Sequence, residues 1–105
     1  SGNFGNLTAG LIAKRAGLPI SRFVAATNIN DVVPSYLEQG LFEPRASVQT
    51  LSNAMDVGNP SNFERMRWLY DDDLAAMRAD IVGARYEDAA VKHTIRRVYE
   101  ERGYL

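Results

Sequence analysis

Two short polar clusters carry most of this chain's capacity for chemistry. The first is Ser1-Gly2-Asn3-Phe4-Gly5-Asn6, which runs directly into a stretch of helical character. Backbone N–H groups in the first turn of a helix have no internal partner, and the aligned peptide dipoles add partial positive charge there. Gly2 and Gly5 would let such a loop curl around a phosphate or other anion, while Asn3 and Asn6 add amide donors and tolerate left-handed backbone. No lysine lies in the loop, so an anion would be held by N–H groups rather than by a charge, unlike in a P-loop. An ordinary helix-opening turn is the competing reading of the same residues. The second cluster, Thr27, Asn28, Asn30 and Asp31, follows a short apolar run. If strands ahead of the two clusters run parallel, both loops fall on one sheet edge, outside the strand carboxyl ends where ligands bind in open α/β sheets. Asn28, Asn30 and Asp31 are then candidate substrate contacts. A turn with Asp31 as helix cap is the plainer alternative. Arg45, in an irregular segment, is a candidate for contact with an anionic substrate.

The remaining reactive side chains read as structural. His93 is the sole histidine and there is no cysteine, so neither a metal site nor a catalytic triad has the partners it needs. Asp71-Asp72-Asp73 lacks the spacing of a calcium loop and reads as a helix entrance with complementary charge. Lys14 and Lys92, the only lysines, lie on charged helices. Trp68 and Tyr70 read as packing residues.

The elements that must position these groups follow from periodicity and punctuation. Asn6 to Ala16 is expected to be a helix with Leu7, Leu11 and Ile12 on its apolar face, stopped by Gly17 and Pro19. Phe23 to Ala26 is continuous rather than alternating, which predicts a strand buried on both faces of a parallel sheet. Asp31 opens a helix over Val32 to Gln39, with Pro34 in its first turn and Gly40 after it. Residues 41–60 lack helical periodicity; Val48, Thr50 and Ser52 hint at a strand, and Gly58-Asn59-Pro60 marks a turn that Asp56 is expected to hold through hydrogen bonds. Ser61 to Tyr70 reads as a helix burying Phe63, Met66, Trp68 and Leu69. A further helix starts at one of the three aspartates and runs to Gly83. The last, with Val91, Ile95, Val98 and Arg102 on one stripe, ends at Gly103. The resulting fold class is α/β, a parallel sheet with flanking helices.

Composition sets the outer limits. The 105 residues are 46% hydrophobic and suffice for one core. A net charge of −1 gives no nucleic-acid footprint. Residues 51–105 hold 8 of 12 basic and 10 of 13 acidic side chains, a rise of both signs that marks solvated helices. Nothing reads as a signal peptide or membrane span, and the absence of cysteine is compatible with a reducing cytoplasm.

Four stretches, "SGNFGNLTAGLIAKRAGLP", "FVAATNINDVVPSYLEQG", "SNAMDVGNPSNFERM" and "IRRVYEERGYL", together closely resemble bacterial threonine synthases, in the same order and with similar spacing. The resemblance covers essentially the whole chain and is least specific over Asp71 to Asp88. It implies a pyridoxal-phosphate (PLP) enzyme of fold type II, the tryptophan-synthase-β-like fold. Such enzymes convert O-phospho-L-homoserine and water to L-threonine and phosphate by γ-elimination and β-addition of water. Gly2, Asn3, Phe4, Gly5 and Asn6 match the family's loop for the cofactor phosphate. The family's Schiff-base lysine belongs to an upstream Phe-Lys-Asp type motif not found here. An Asp-Pro-His motif that completes the pyridine pocket lies beyond the final residues. The resemblance therefore implies one segment of a large PLP-binding domain, inactive alone: loop and helix over 1–17, strand and helix over 22–40, an irregular part over 41–60 and helices over 61–105. It also implies a phosphorylated amino-acid substrate, the rest of the parent enzyme as partner, a cytoplasmic setting and no nucleic-acid or membrane partner. Self-association through bared strand edges is a further expectation. A free-standing phosphate-binding or association module without catalysis remains the alternative.

Overall fold

The computed structural model describes residues 2–104; Ser1 and Leu105 lie outside them. Helix α1 (Gly5–Arg15) leads to strand β1 (Phe23–Thr27) and helix α2 (Val32–Gln39). An irregular stretch with one 3₁₀ turn (Asn53–Met55) follows. Then come α3 (Phe63–Leu69), α4 (Leu74–Asp80), strand β2 (Ile81–Arg85) and α5 (Asp88–Arg102). Strands β1 and β2 pair in parallel, Phe23 opposite Ile81 and Thr27 opposite Arg85. The two strands are joined by a crossover containing three helices, as a parallel pair requires.

The expected start and stop signals work as physical chemistry predicts. Gly17 and Gly40 adopt left-handed backbone after α1 and α2, and Gly103 does so after α5. The Asp73 carboxylate caps α4 by accepting from the Ala76 N–H at 3.2 Å. Asp71 and Asp72 are themselves left-handed, which turns the chain sharply between α3 and α4.

Several expectations are corrected. The helix read through to Gly83 stops at Asp80, and Ile81–Arg85 is a strand. The β-branched pair Ile81-Val82 favours extended backbone once β1 supplies a partner. The sheet is buried on one face only: Ala25, Thr27 and Ile81 are covered, whereas Val24 is 64% exposed and Val82 stands beside it in register. Helices α2 and α4 pack on the covered side. No strand forms over Val48 to Ser52. In α1, Ile12 is exposed and Thr8 takes its place in the interior, its hydroxyl bonding the Phe4 carbonyl at 2.7 Å. Trp68 is 76% exposed, because Phe63, Met66 and Tyr70 define the buried side of α3 and Trp68 points the other way.

The core is centred on Phe63, whose ring meets Tyr36 edge-on at 4.8 Å and stacks on Phe42 at 4.4 Å. Leu7, Leu11, Leu37, Met66, Met77 and Ile81 complete it. A second, polar junction ties α1 to α4. The Tyr70 hydroxyl donates to Asp80 at 2.8 Å, and Lys14 pairs with Asp80 at 3.3 Å. Burial first, and the Asp80 acceptor second, push the Tyr70 phenol well up, and the same hydrogen bond holds the Asp80 carboxyl below its ordinary value.

Candidate anion-binding site

The opening loop is built around Phe4, which sits at the N-cap of α1 in left-handed backbone (φ 59°, ψ 24°) with its ring buried. A non-glycine residue there is uncommon, and burial of the ring holds it in place. No side chain caps α1, and among the described residues the Gly5, Asn6 and Leu7 N–H groups have no acceptor. Gly5 and Asn6 are exposed, so these donors open to solvent. Asn3 is fixed from the other side, its amide oxygen accepting from the Ser61 hydroxyl at 3.1 Å. Gly2 lies so close to the 3₁₀ turn that a Cβ there would stand 2.7 Å from the Ala54 carbonyl oxygen and 3.1 Å from a Val57 methyl. The loop thus has a wall, formed by residues 54–57, and a set of unpaired donors.

The second polar cluster reaches the same wall. The Asn28 side-chain amide donates to Asp56 at 2.8 Å and to the Thr50 hydroxyl at 2.9 Å, and its oxygen accepts from the Asn30 backbone and side chain, each at 2.9 Å. Asn30 pairs with the Val48 peptide as a strand neighbour would, donating to its carbonyl at 2.9 Å and accepting from its N–H at 2.8 Å. Asp56 also accepts from the Thr50 hydroxyl at 2.7 Å and N–H at 2.9 Å. Asn28 and Asn30 are buried with their polar atoms turned into this network. A substrate contacting them directly would have to displace one of these bonds. Asp31 does stand at the start of α2, but its carboxylate makes no cap; it pairs with Arg45 and, at 3.5 Å, with Arg85. Arg45 is half-exposed and anchored to the edge of the cluster by that pair.

The Thr50 hydroxyl, foremost, and then the Thr50 N–H and Asn28 amide hold the Asp56 carboxyl below its ordinary 3.8. Asp56 and Asp80 therefore bind protons more weakly in the folded than in the unfolded chain. Their contribution to stability is present above the unfolded carboxyl value and is lost as pH falls below it through the lowered folded values. Urea denaturation across pH 7 to 3 is expected to show that loss, and Asp56→Asn and Asp80→Asn are each expected to reduce it. An unchanged slope in both variants would refute the assignment.

The sequence reading did not single out the groove beside the cluster. An open, largely apolar groove of about 440 Å³ lies between Asn28, Ser52 and Met55 on one side and Tyr86, Val91 and Ile95 on the other. The apolar stripe of α5 was its legible signal. That stripe is not buried; its Val91 and Ile95 form part of one groove wall. Lys14 donates to the Ile20 carbonyl at 2.7 Å, and His93 and Lys92 lie on the exposed surface of α5. No group of three or more metal-binding side chains occurs among the described residues, and none of their helices is long and apolar enough to cross a membrane.

The same parallel α/β arrangement occurs in solved threonine synthases, one of them PLP-bound. The chain superposes on the Escherichia coli enzyme with a TM-score of 0.87 at 46% identity, covering 99% of this chain and 24% of that one. It superposes on the PLP-bound threonine synthase of Brucella melitensis with a TM-score of 0.90 at 34% identity, covering 100% and 28%. By sequence the chain is homologous from end to end to one stretch of threonine synthase. It is 49% identical over 105 residues to the Haemophilus influenzae enzyme and 48% to that of Serratia marcescens. The chain spans about a quarter, 24%, of the length of these relatives. No protein-family profile matches it.

Proposed function

We propose that this chain is the cofactor-phosphate-binding segment of a threonine synthase, an enzyme that makes L-threonine and phosphate from O-phospho-L-homoserine and water. The observation that carries the reading is the uncapped first turn of α1, whose free N–H donors lie behind left-handed Phe4 in a chain homologous to these enzymes. Gly2, Asn3, Phe4, Gly5 and Asn6 hold the phosphate of pyridoxal 5'-phosphate: Gly5 and Asn6 through backbone donors, Phe4 by setting their direction, Gly2 and Asn3 by fixing the loop. The fit is one of charge and shape, an anion against a helix start with no competing side chain. When bound, the cofactor supplies the electron sink for carbanion chemistry. Asp31 and Arg45 form the substrate-facing edge, with Arg45 offered to the anionic group, and Asn28 and Asn30 support that edge from beneath. This reading assigns neither lysine to covalent attachment: Lys14 is engaged by the Ile20 carbonyl and Asp80, and Lys92 lies on the exposed surface of α5.

Under this reading the partners are a phosphorylated amino acid and the rest of the parent enzyme, in the cytoplasm. The apolar face at Val24 and Val82, and the outer edges of the strand pair, are where that remainder, or another copy, would dock.

Titration with pyridoxal phosphate, followed by absorbance before and after borohydride, tests the proposal. Saturable binding without a reducible lysine adduct is expected, and Gly2→Val, which drives a side chain into the Ala54 carbonyl, is expected to abolish it. No binding at millimolar cofactor would overturn the assignment of the loop in this chain.

A further inference from the structure

We infer that Asp56 is the positioning residue of the anion loop: its carboxylate sets the wall against which Gly2 packs. This deepens the cofactor-phosphate reading and rests on it. Besides Asp56, the wall is tied at its head by Asn28, which donates to the Ser52 hydroxyl at 3.2 Å, and at its foot by the Gly58 N–H, which donates to the Ser47 hydroxyl at 3.1 Å. The 3₁₀ turn Asn53–Met55 has no side-chain cap and no buried residue. Its backbone bonds are local, Met55 to Ser52 at 2.8 Å, Asp56 to Asn53 at 3.1 Å and Val57 to Met55 at 2.9 Å. A turn with so little burial and only local backbone bonds takes its place relative to β1 from side-chain contacts of this kind.

Asp56 supplies the largest set of them. One carboxylate oxygen accepts from Asn28, Asn30 and the Thr50 hydroxyl at 2.8, 3.3 and 2.7 Å; the other accepts from the Thr50 N–H at 2.9 Å. Every neighbour in this set is a donor toward Asp56. Only a group that accepts on both oxygens satisfies all of them. The chain of contact then runs from the end of β1, through Asp56, to Ala54 and Val57, and so to Gly2. Asparagine is nearly isosteric but turns one acceptor into a donor. In one orientation its NH₂ faces the Thr50 N–H; in the other it faces the side-chain amides of Asn28 and Asn30. Either way donors oppose, and the wall shifts away from Gly2.

The test uses two variants and two readouts. In amide NMR spectra of the chain, Asp56→Asn is expected to move the Gly2, Gly5 and Asn6 resonances while the α3 and α4 resonances stay in place. Affinity for pyridoxal phosphate is expected to weaken about tenfold, the scale of a lost hydrogen bond to a charged group. Thr50→Val, which removes one hydroxyl donor, should reproduce the loop shifts in smaller measure, and Thr50→Ser, which keeps it, should restore the parent spectrum. Should Asp56→Asn fail to fold, the threonine pair decides. Unmoved loop resonances in Asp56→Asn, or identical effects of Thr50→Val and Thr50→Ser, would overturn the inference. If the parent chain itself binds no cofactor, the phosphate assignment fails, while the NMR arm still decides whether Asp56 sets the loop.

Discussion

Phe63→Ala is expected to destabilise the chain by about 4 kcal/mol, the cost of removing a fully enclosed phenyl ring. Phe63 is 0% exposed and touches aromatic rings on two sides, Tyr36 from α2 and Phe42 from the segment after it. These edge-on and stacked contacts add to the area that burial removes from water. The cavity would open at the place where α3, α2 and the start of the irregular segment meet, so no single helix can close it. A domain of this size commonly has only about 5–15 kcal/mol of stability in total. The variant is expected to show an urea midpoint far below that of the parent, with Phe63→Leu between them. A midpoint shift for Phe63→Ala no larger than for a surface substitution would show that the core is not centred on this ring.

Gly58→Ala is the second large effect, and its cause is backbone rather than core. A Cβ at this position would lie 1.8 Å from the Arg45 carbonyl oxygen and 3.1 Å from the Ser47 nitrogen. Both neighbours are main chain and cannot rotate away. Gly58 and Arg45 are also hydrogen-bonded, Arg45 N–H to Gly58 carbonyl at 3.0 Å, and the Gly58 N–H donates to the Ser47 hydroxyl at 3.1 Å. Separating the two segments at this contact breaks those bonds as well. The expected cost is about 3 kcal/mol, at the upper end for overpacking. Gly5→Ala is the control: its Cβ would have only an ordinary contact, 3.7 Å from the Asn62 amide. Thermal unfolding of the two variants side by side should show a large drop for position 58 and little change for position 5. Equal drops would mean that the close approach at Gly58 relaxes.

Much of the first forty residues was legible because their signals are local. A glycine at each helix end, a proline in the first turn of α2 and a short apolar run marked α1, β1 and α2 without reference to the rest of the chain. Strand β2 was not legible, since Ile81-Val82-Gly83 continues the apolar spacing of α4 and only β1, distant in sequence, makes it extended. The alternation at Val48, Thr50 and Ser52 suggests a strand, and none forms there. The Val48 and Thr50 N–H groups donate to the Asn30 and Asp56 side chains instead of to a neighbouring strand. In the candidate site, the loop glycines and the family likeness were plain in the sequence. What could not be read was the inward turn of Asn28 and Asn30, because an asparagine offered to a ligand and one spent on a buried network look the same in one dimension. Trp68 failed for a related reason: a residue's hydrophobicity does not say which side of a short helix it occupies.

The pairing of Phe23 with Ile81 places more than half of the chain inside one closed loop. Loop closure must be met before any strand hydrogen bond can reward it, and contacts of such separation slow folding. Helices α1, α2 and α3, with short-range bonds of their own, can form early. The sheet and the helix beyond it must wait until the crossover has condensed. A ribosome releasing this segment would therefore hold its first half as a partly ordered, strand-exposing species until β2 emerged, and the moment of closure would be set by synthesis rather than by local propensity.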